Sequence, residues 1–353
     1  MCRDSGMLRE FFLSTSEVAD WQRLLPASRN VFGSHGYAQI CERFHGITPR
    51  LHALEKDSGS VSNPMFLRTL ATLDFAMGVD AKWDAATPDY TGPITVGDCV
   101  DLYDKFTSCH EALMIREKIV AEFAHLHPWA ANKDLLGHGC SYDRDIVWID
   151  LKPLPEETFR QQFEHSCRKN IQKAVREGVT VFTASDDWHI EEFFRIYTST
   201  MQRNQALDRY AMSLEYFRSF REKLPDHSRF VFARLKDRIV AATLYLHDDT
   251  DIYSFLGGAD ALYSECRPTN LVIWETLRWA HEQKKLRFIL GGGYGLNDGI
   301  FRFKSSFSRN KRSFYTFRRI HLREEFNELD RRFRVEQGIG EQRVEYFPSY
   351  RSA

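Results

Sequence analysis

The chain has 353 residues, of which 43% are apolar, 14% aromatic and 27% charged. That is the make-up of a folded protein, not of a disordered, collagenous or disulfide-knot chain, and the length suits two domains. With 48 Lys and Arg against 49 Asp and Glu, the formal net charge is −1, which excludes a globally basic nucleic-acid binder but not a local basic face. There is no apolar run of about eighteen residues, so no membrane span is expected. The opening residues lack the apolar core and cleavage site of a secretory signal. The seven cysteines are scattered without a CxxC pair, so a reducing cytoplasm is expected and a disulfide framework or structural zinc is not.

In chain order, Trp21 to Leu25 and Tyr37 to Phe44 read as helical, Pro49 to Glu55 as extended, and Phe66 to Phe75 as extended or helical. Ala81 to Gly97 reads as loop-rich, Cys99 to Ile119 as a long helix and Val120 to Leu126 as a strand. A polar boundary is expected over Lys133 to Asp145, with Gly137 and Gly139 in it. Ile146 to Leu151 is a strand, broken by Pro153 and Pro155. Glu156 to Glu177 has helical spacing and is closed by Gly178. Val179 to Thr183 is a strand, and Trp188 to Met201 and Ser213 to Lys223 are helices. Phe230 to Leu235, Ile239 to His247 and Asp251 to Leu256 are strands separated by short polar turns, which favours an antiparallel meander. Pro268 opens a helix through Lys284, and Arg287 to Leu290 is a buried-type strand that ends in Gly291-Gly292-Gly293.

This order predicts an α+β fold with mixed sheets. The two halves read as divergent copies of one unit, with domains over 1–140 and 141–320, and 320–353 packing back on the first.

No phosphate loop of the GxxxxGK[ST] type, no GxSxG elbow and no HExxH helix occurs. Gly291-Gly292-Gly293-Tyr294-Gly295 follows a strand, but no helix pattern opens directly after it. It reads as a turn needing positive φ, or as a loop that a ligand can approach closely. The pronounced basic block begins at Phe301-Arg302-Phe303-Lys304-Ser305-Ser306-Phe307 and continues through Arg309, Lys311 and Arg312. Two readings stay open: a solvated strand edge guarded by cations, or a site for phosphate and an RNA backbone. Lys304 stands among phenylalanines, and a partly desolvated ammonium attracts an oxyanion more strongly than one in water. Arg168 and Arg203 read either as helix-face and helix-cap residues or as phosphate contacts. His125 and His127 would point the same way on a strand, but nothing nearby completes a metal set.

RKNIQKAVREGVTV (168–181), the stretch from Phe255 to Lys284 and FRFKSSF (301–307) resemble the Fem aminoacyltransferase family, a relative of the GNAT acyltransferases. The likeness is good over about 140–320 and looser through TPDYTGP (87–93). It implies two GNAT-like domains and an enzyme that moves an amino acid from aminoacyl-tRNA to an amine acceptor, a peptidoglycan precursor or a peptidyl natural product. Lys304 then matches the lysine proposed to stabilise the tetrahedral oxyanion, with Phe303 beside it. Arg203 and Tyr253 match contacts to the acceptor's phosphates, and Arg168 and Asp89 fall in motifs assigned to substrate binding. Two family features are absent: the first-domain phosphate lysine, replaced near Ser34-His35-Gly36, and a long helical hairpin.

An ester-activated donor needs no ATP site and no cofactor. The amine must lose a proton, and Asp89 and Glu122 are the carboxylates weighed for that task. The alternative is an N-acyltransferase that takes acetyl-CoA or another acyl-CoA. Such an enzyme offers a Gly-rich pyrophosphate loop at a helix start, whereas Tyr263 to Asn270 has no glycine and places Pro268 there.

Overall fold

The computed structural model describes residues 7–130, 132–136, 138–207, 210–293, 295, 298–340, 342 and 344–352. Cys2, Gly137 and Tyr294 lie outside the described residues. The chain begins with strand β1 (Arg9–Leu13), helices α1 (Val18–Leu24) and α2 (His35–His45), and strands β2 (Thr48–Lys56), β3 (Gly59–Thr69), β4 (Trp83–Ala86) and β5 (Ile94–Gly97). Helix α3 (Val100–Arg116), strand β6 (Ile119–His125) and the short α4 (Asn132–Leu136) follow. Then come β7 (Cys140–Asp150), α5 (Pro155–Gln161), α6 (His165–Arg176), β8 (Val179–Thr183), α7 (Asp187–Arg203) and α8 (Leu214–Lys223). Strands β9 (Ser228–Leu235), β10 (Arg238–His247) and β11 (Asp251–Ala259) lead to α9 (Pro268–Glu282), β12 (Arg287–Gly291) and α10 (Gly299–Ser305). Strand β13 (Lys311–Ile320) and helix α11 (Arg323–Gln337) complete the order.

Two compact units result. The first holds the chain up to Pro26, Phe32–Asp143 and Phe314 onward; the second holds Ala27–Val31 and Arg144–Ser313.

In the first unit the strands run β1-β2-β3-β4-β6-β13, with β5 beside β3. The first four are antiparallel. β4 and β6 are parallel, so a crossover is required, and α3 supplies it. β13 is antiparallel to β6. Helix α3 forms because apolar residues recur on one face, and it buries Leu102, Tyr103 and Phe106 against Leu54 and Val61.

The second unit repeats this plan as β8-β9-β10-β11-β12-β7. Four antiparallel strands are followed by a parallel pair, β11 and β12, joined through α9, and then by an antiparallel sixth strand. A helix pair, α1–α2 or α7–α8, separates the first two strands in each unit. Six strands in one order, with matched polarity and matched helices, are a duplication in topology, and the α+β expectation with two GNAT-like units holds. The second core gathers Val147, Ile149, Ile171, Val240, Tyr245, Leu271, Leu277, Phe288 and Phe307.

Several local expectations are corrected. The Glu156 to Glu177 segment is two helices, broken at Gln162 to Glu164, where Glu164 N–H donates to Ser306 O at 2.8 Å. The strand expected to reach Phe75 stops at Thr69, and a 3-10 turn covers Asp74–Ala76. Ala81 to Gly97 contains β4 and β5, and the polar boundary contains α4 and the start of β7. Phe301 to Phe307 is not a strand edge: α10 covers it as far as Ser305.

Candidate active site

The site is built where β11 and β12 part. These two strands pair only at Asp251↔Arg287, Ile252↔Phe288 and Tyr253↔Ile289. Beyond Tyr253, β11 continues to Ala259 paired with β10, and β12 turns to β7. From Ser254 on, the β12-facing edge of β11 has no strand partner among the described residues, and these residues are half-buried. The first unit differs. There β4 and β6 stay joined, because Thr87 N–H donates to Phe123 O, Thr91 N–H to His125 O and His127 N–H to Thr91 O, at 2.9, 3.0 and 2.9 Å. The second unit alone keeps its parallel pair open, among the described residues.

Below the opening a buried polar knot pins the strands. Tyr253 is 1% exposed, and its hydroxyl donates to Asp248 and Asp251 at 3.2 and 3.3 Å. Asp251 pairs with Arg287 of β12. Burial and the neighbouring Asp251 push the Asp248 carboxyl up to about 7. Tyr253 is thus a strand-locking residue with no surface for a phosphate, which corrects the expectation of a substrate contact.

Lys304 sits at the open end of β12. Gly291 leaves the strand at φ +81°, in the region that favours glycine. Asp298 then caps α10, accepting from Phe301 N–H at 2.7 Å and from Gly295 N–H at 3.0 Å. A Cβ at position 293 would meet the Asp298 carboxylate, so only glycine lets the cap close under the turn. Arg144 holds the turn from the other side, donating to Gly293 O at 2.7 Å. The Lys304 ammonium donates to Gly292 O at 2.7 Å. Burial lowers its pKa from 10.5 to about 8, against the attraction of Asp298.

The phenylalanines act differently than the sequence suggested. On a helix Phe303 and Lys304 diverge, and Phe307 lies in the turn that follows α10, its N–H donating to Lys304 O at 3.1 Å. Phe307 is fully buried, with Phe163 and Phe303 rings each 5.3 Å away, while Phe303 is 36% exposed.

Arg203 ends α7 and donates to Ala259 O, the last residue of β11, at 3.2 Å. It anchors to the neighbouring strand and not to its own helix end. Gly258 permits this approach, since a Cβ there would strike Thr200. Arg203 and Lys304 therefore mark the same end of two parallel strands, the edge where open α/β sheets bind ligands.

The remaining expected residues separate. Arg168 turns inward and donates to Arg160 O at 3.2 Å and to Phe163 O, closing the end of α5, so it holds the helix break instead of a substrate. Lys311 donates to Ser305 Oγ at 2.8 Å and Ser308 O at 3.1 Å. Arg302, Arg309 and Arg312 are exposed. Asp89 belongs to the first unit, where its carboxylate pairs with His125 Nδ1 at 2.8 Å. His127 lies beyond the end of β6, so the two histidines do not share a strand face, and no group of metal-ligating side chains assembles among the described residues. Sequence reasoning missed Asp298, Arg144 and the Asp89–His125 pair. An Asp three residues before Phe301 was the available cap signal.

Residues 161–305 match the family model described as an acetyltransferase (GNAT) domain. No curated protein matches the sequence. Among solved structures, FemX superposes with a TM-score of 0.69 at 11% identity, covering 90% of this chain and 99% of FemX. The fold is Fem/GNAT-like, and the second unit carries the GNAT-type domain. Two further structures share the fold. A conserved protein of unknown function from Bacteroides thetaiotaomicron VPI-5482 has a TM-score of 0.59 at 14% identity, covering 88% of this chain and 99% of its own. The C-terminal domain (DUF2156) of a putative lysylphosphatidylglycerol synthetase from Agrobacterium fabrum has a TM-score of 0.53 at 11% identity, covering 86% and 92%. No helix among the described residues is long and apolar enough to cross a membrane.

Proposed function

We propose that this acyltransferase moves an amino acid from aminoacyl-tRNA to an amine acceptor, forming an amide bond in the cytoplasm. The observation that carries this is Lys304: a desolvated ammonium on a capped helix, at the end of a strand pair that opens toward it. In the reaction the amine attacks the ester carbonyl, negative charge grows on its oxygen, and the Lys304 ammonium exchanges Gly292 O for that oxyanion. Arg203, at the end of β11, contacts the acceptor's phosphate or carboxylate. Exposed Arg302, Arg309, Lys311 and Arg312 contact the RNA backbone. The acceptor is a peptidoglycan precursor or a peptidyl natural product, and no cofactor is required.

The start of α9 supports tRNA over acyl-CoA. A 3-10 turn (Ala261–Cys266) precedes it, Arg267 takes φ 54° and Pro268 brings no N–H. A pyrophosphate is normally cradled by backbone N–H groups at such a helix start. The second reading, an acyl-CoA donor, is favoured by the description of the matching family model. A transfer assay with a mixed charged-tRNA pool separates them. Product formation that RNase abolishes supports the first reading. Product that survives RNase and requires acetyl-CoA replaces it with the second.

A further inference from the structure

We infer that the outer face of helix α6 is a second RNA-backbone contact, which extends the cations of α10 and its following turn along the donor; this rests on the aminoacyl-tRNA reading above. Among the described residues, α6 and α10 are the two α-helices that contain no Asp or Glu. They adjoin within the second unit. Glu164, which caps the start of α6, donates its N–H to Ser306 O at 2.8 Å, and Ser306 caps the end of α10, two residues after Lys304.

Helical geometry sets the outer face. At about 100° per residue, Cys167, Ile171 and Ala174 fall on one side, where they are buried. His165, Lys169, Gln172 and Arg176 fall on the opposite side and are exposed. The row is ~16 Å long at the rise of an α-helix. The other two cations of the helix are engaged. Arg168 turns inward to Arg160 O, and Lys173 lies 3.5 Å from Glu265. Lys169 and Arg176 have no charged or hydrogen-bonding partner for their side chains among the described residues, and the same holds for Arg302 and Arg309. The nearest acids in sequence, Glu164 and Glu177, stand outside the helix as its two caps.

A merely solvated helix face looks different in this chain. Arginines on the other helices pair with acids one turn away: Arg195 with Glu192 at 2.8 Å, Arg218 with Glu215 at 2.6 Å, Arg278 with Glu275 at 3.2 Å and Arg334 with Asp330 at 2.6 Å. Such pairs leave little net field. On α6 and α10 nothing cancels the charge, and a row of unpaired cations is the complement of a row of phosphates. A bilayer fits less well, because a helix that lies on a membrane buries apolar side chains beside its cations. The outward row of α6 has none, and the exposed Val175 points about 90° away from it.

The test is the salt dependence of RNA binding by the full chain. Affinity for a labelled, deacylated tRNA pool is read by anisotropy between about 50 and 200 mM salt. In the double variant Lys169→Gln, Arg176→Gln the slope of log K against log salt should be shallower by about 1.4–1.8, for two lost phosphate contacts. Affinity at 0.1 M should fall about 25–60-fold, since the two lines meet near 1 M. In transfer assays the donor KM should rise, with kcat at saturating donor and the acceptor KM unchanged. Arg331→Gln removes an exposed but paired arginine of α11 and should leave the slope as in wild type.

An unchanged slope in the double variant, an equal change in Arg331→Gln, or a rise confined to the acceptor KM overturns the inference. Vesicles of phosphatidylglycerol supply the other arm. Vesicle binding that the double variant loses while its tRNA slope stays intact makes the face a bilayer surface instead. The two failures are distinguishable. Wild-type protein that binds tRNA with a slope indifferent to Lys169 and Arg176 removes the α6 contact alone. Wild-type protein that transfers from acetyl-CoA and binds no tRNA removes the aminoacyl-tRNA reading and the contact with it.

Discussion

The Lys304 ammonium donates to the Gly292 carbonyl at 2.7 Å, inside a turn that Asp298 closes by capping the helix on which Lys304 rides. One residue's charge and another's backbone are thus coupled to a third, and each can be varied separately.

Lys304→Met is expected to lower turnover by about 10²–10³, the usual cost of removing an oxyanion donor. Its thermal midpoint should stay close to wild type, because Met retains the buried stem and no ion pair is broken. Burial sets the lysine's pKa at about 8, down from 10.5. The charged form is present below that value and lost above it. A donor to an oxyanion must be charged, so the rate should fall as pH rises through about 8. A rate that rises through the same range would assign Lys304 the opposite role, that of a base.

Asp298→Asn keeps the capping oxygen and removes the charge. Asp298 acts to raise the Lys304 pKa. The variant's alkaline limb should therefore move to lower pH, with little change in stability. Asp298→Ala should add a stability loss of about 1 kcal/mol, read by urea unfolding.

The second unit was the more legible in sequence. Its strands are uninterrupted β-branched and apolar runs set off by Lys236-Asp237-Arg238 and Asp248-Asp249-Thr250. In the first unit, β3 buries Ser60, Ser62 and Asn63 and contains Pro64. Buried polar side chains and a proline erase the apolar signal that strand recognition depends on. The lysine of the site was visible in FRFK, but its conformation was not. Alternating Phe, Arg, Phe and Lys suits a strand, and the decisive residue, Asp298, lies outside the motif. Asp89 and His125 are far apart in sequence and meet only through the β4–β6 crossover, so no local pattern joins them.

Tyr253 and Arg203 should separate in kinetics although both carried the same expectation. Tyr253→Phe removes a donor from two buried carboxylates, at a cost of about 1–3 kcal/mol in stability, with KM unchanged. Arg203→Ala lies at the open end of β11 and should raise the acceptor KM with little loss of stability. An increase in KM for Tyr253→Phe would show that the knot below the opening yields to substrate.

The first unit carries an acid-sensitive centre. His52 Nδ1 lies 2.9 Å from His110 Nδ1, and His52 Nε2 lies 3.1 Å from Glu10. Burial and the charge of His110 lower the His52 pKa to about 3, so it stays neutral in the fold. Burial works to raise Glu122, but His110 and His321 overcome it and leave its pKa well below 4.5. Both groups bind fewer protons folded than unfolded. Below 6.5 the unfolded state gains a proton at His52 that the fold refuses, and below 4.5 it gains a second at Glu122. Stability should accordingly be full above pH 6.5 and decline in two stages as pH falls, the first extending toward 3. Glu122→Gln removes the second stage and leaves His110 without its carboxylate, which costs about 3–5 kcal/mol for a broken buried pair. Urea unfolding followed across pH 3–7 reads both. A variant whose stability still falls as steeply as wild type below pH 4.5 would place the acid sensitivity elsewhere.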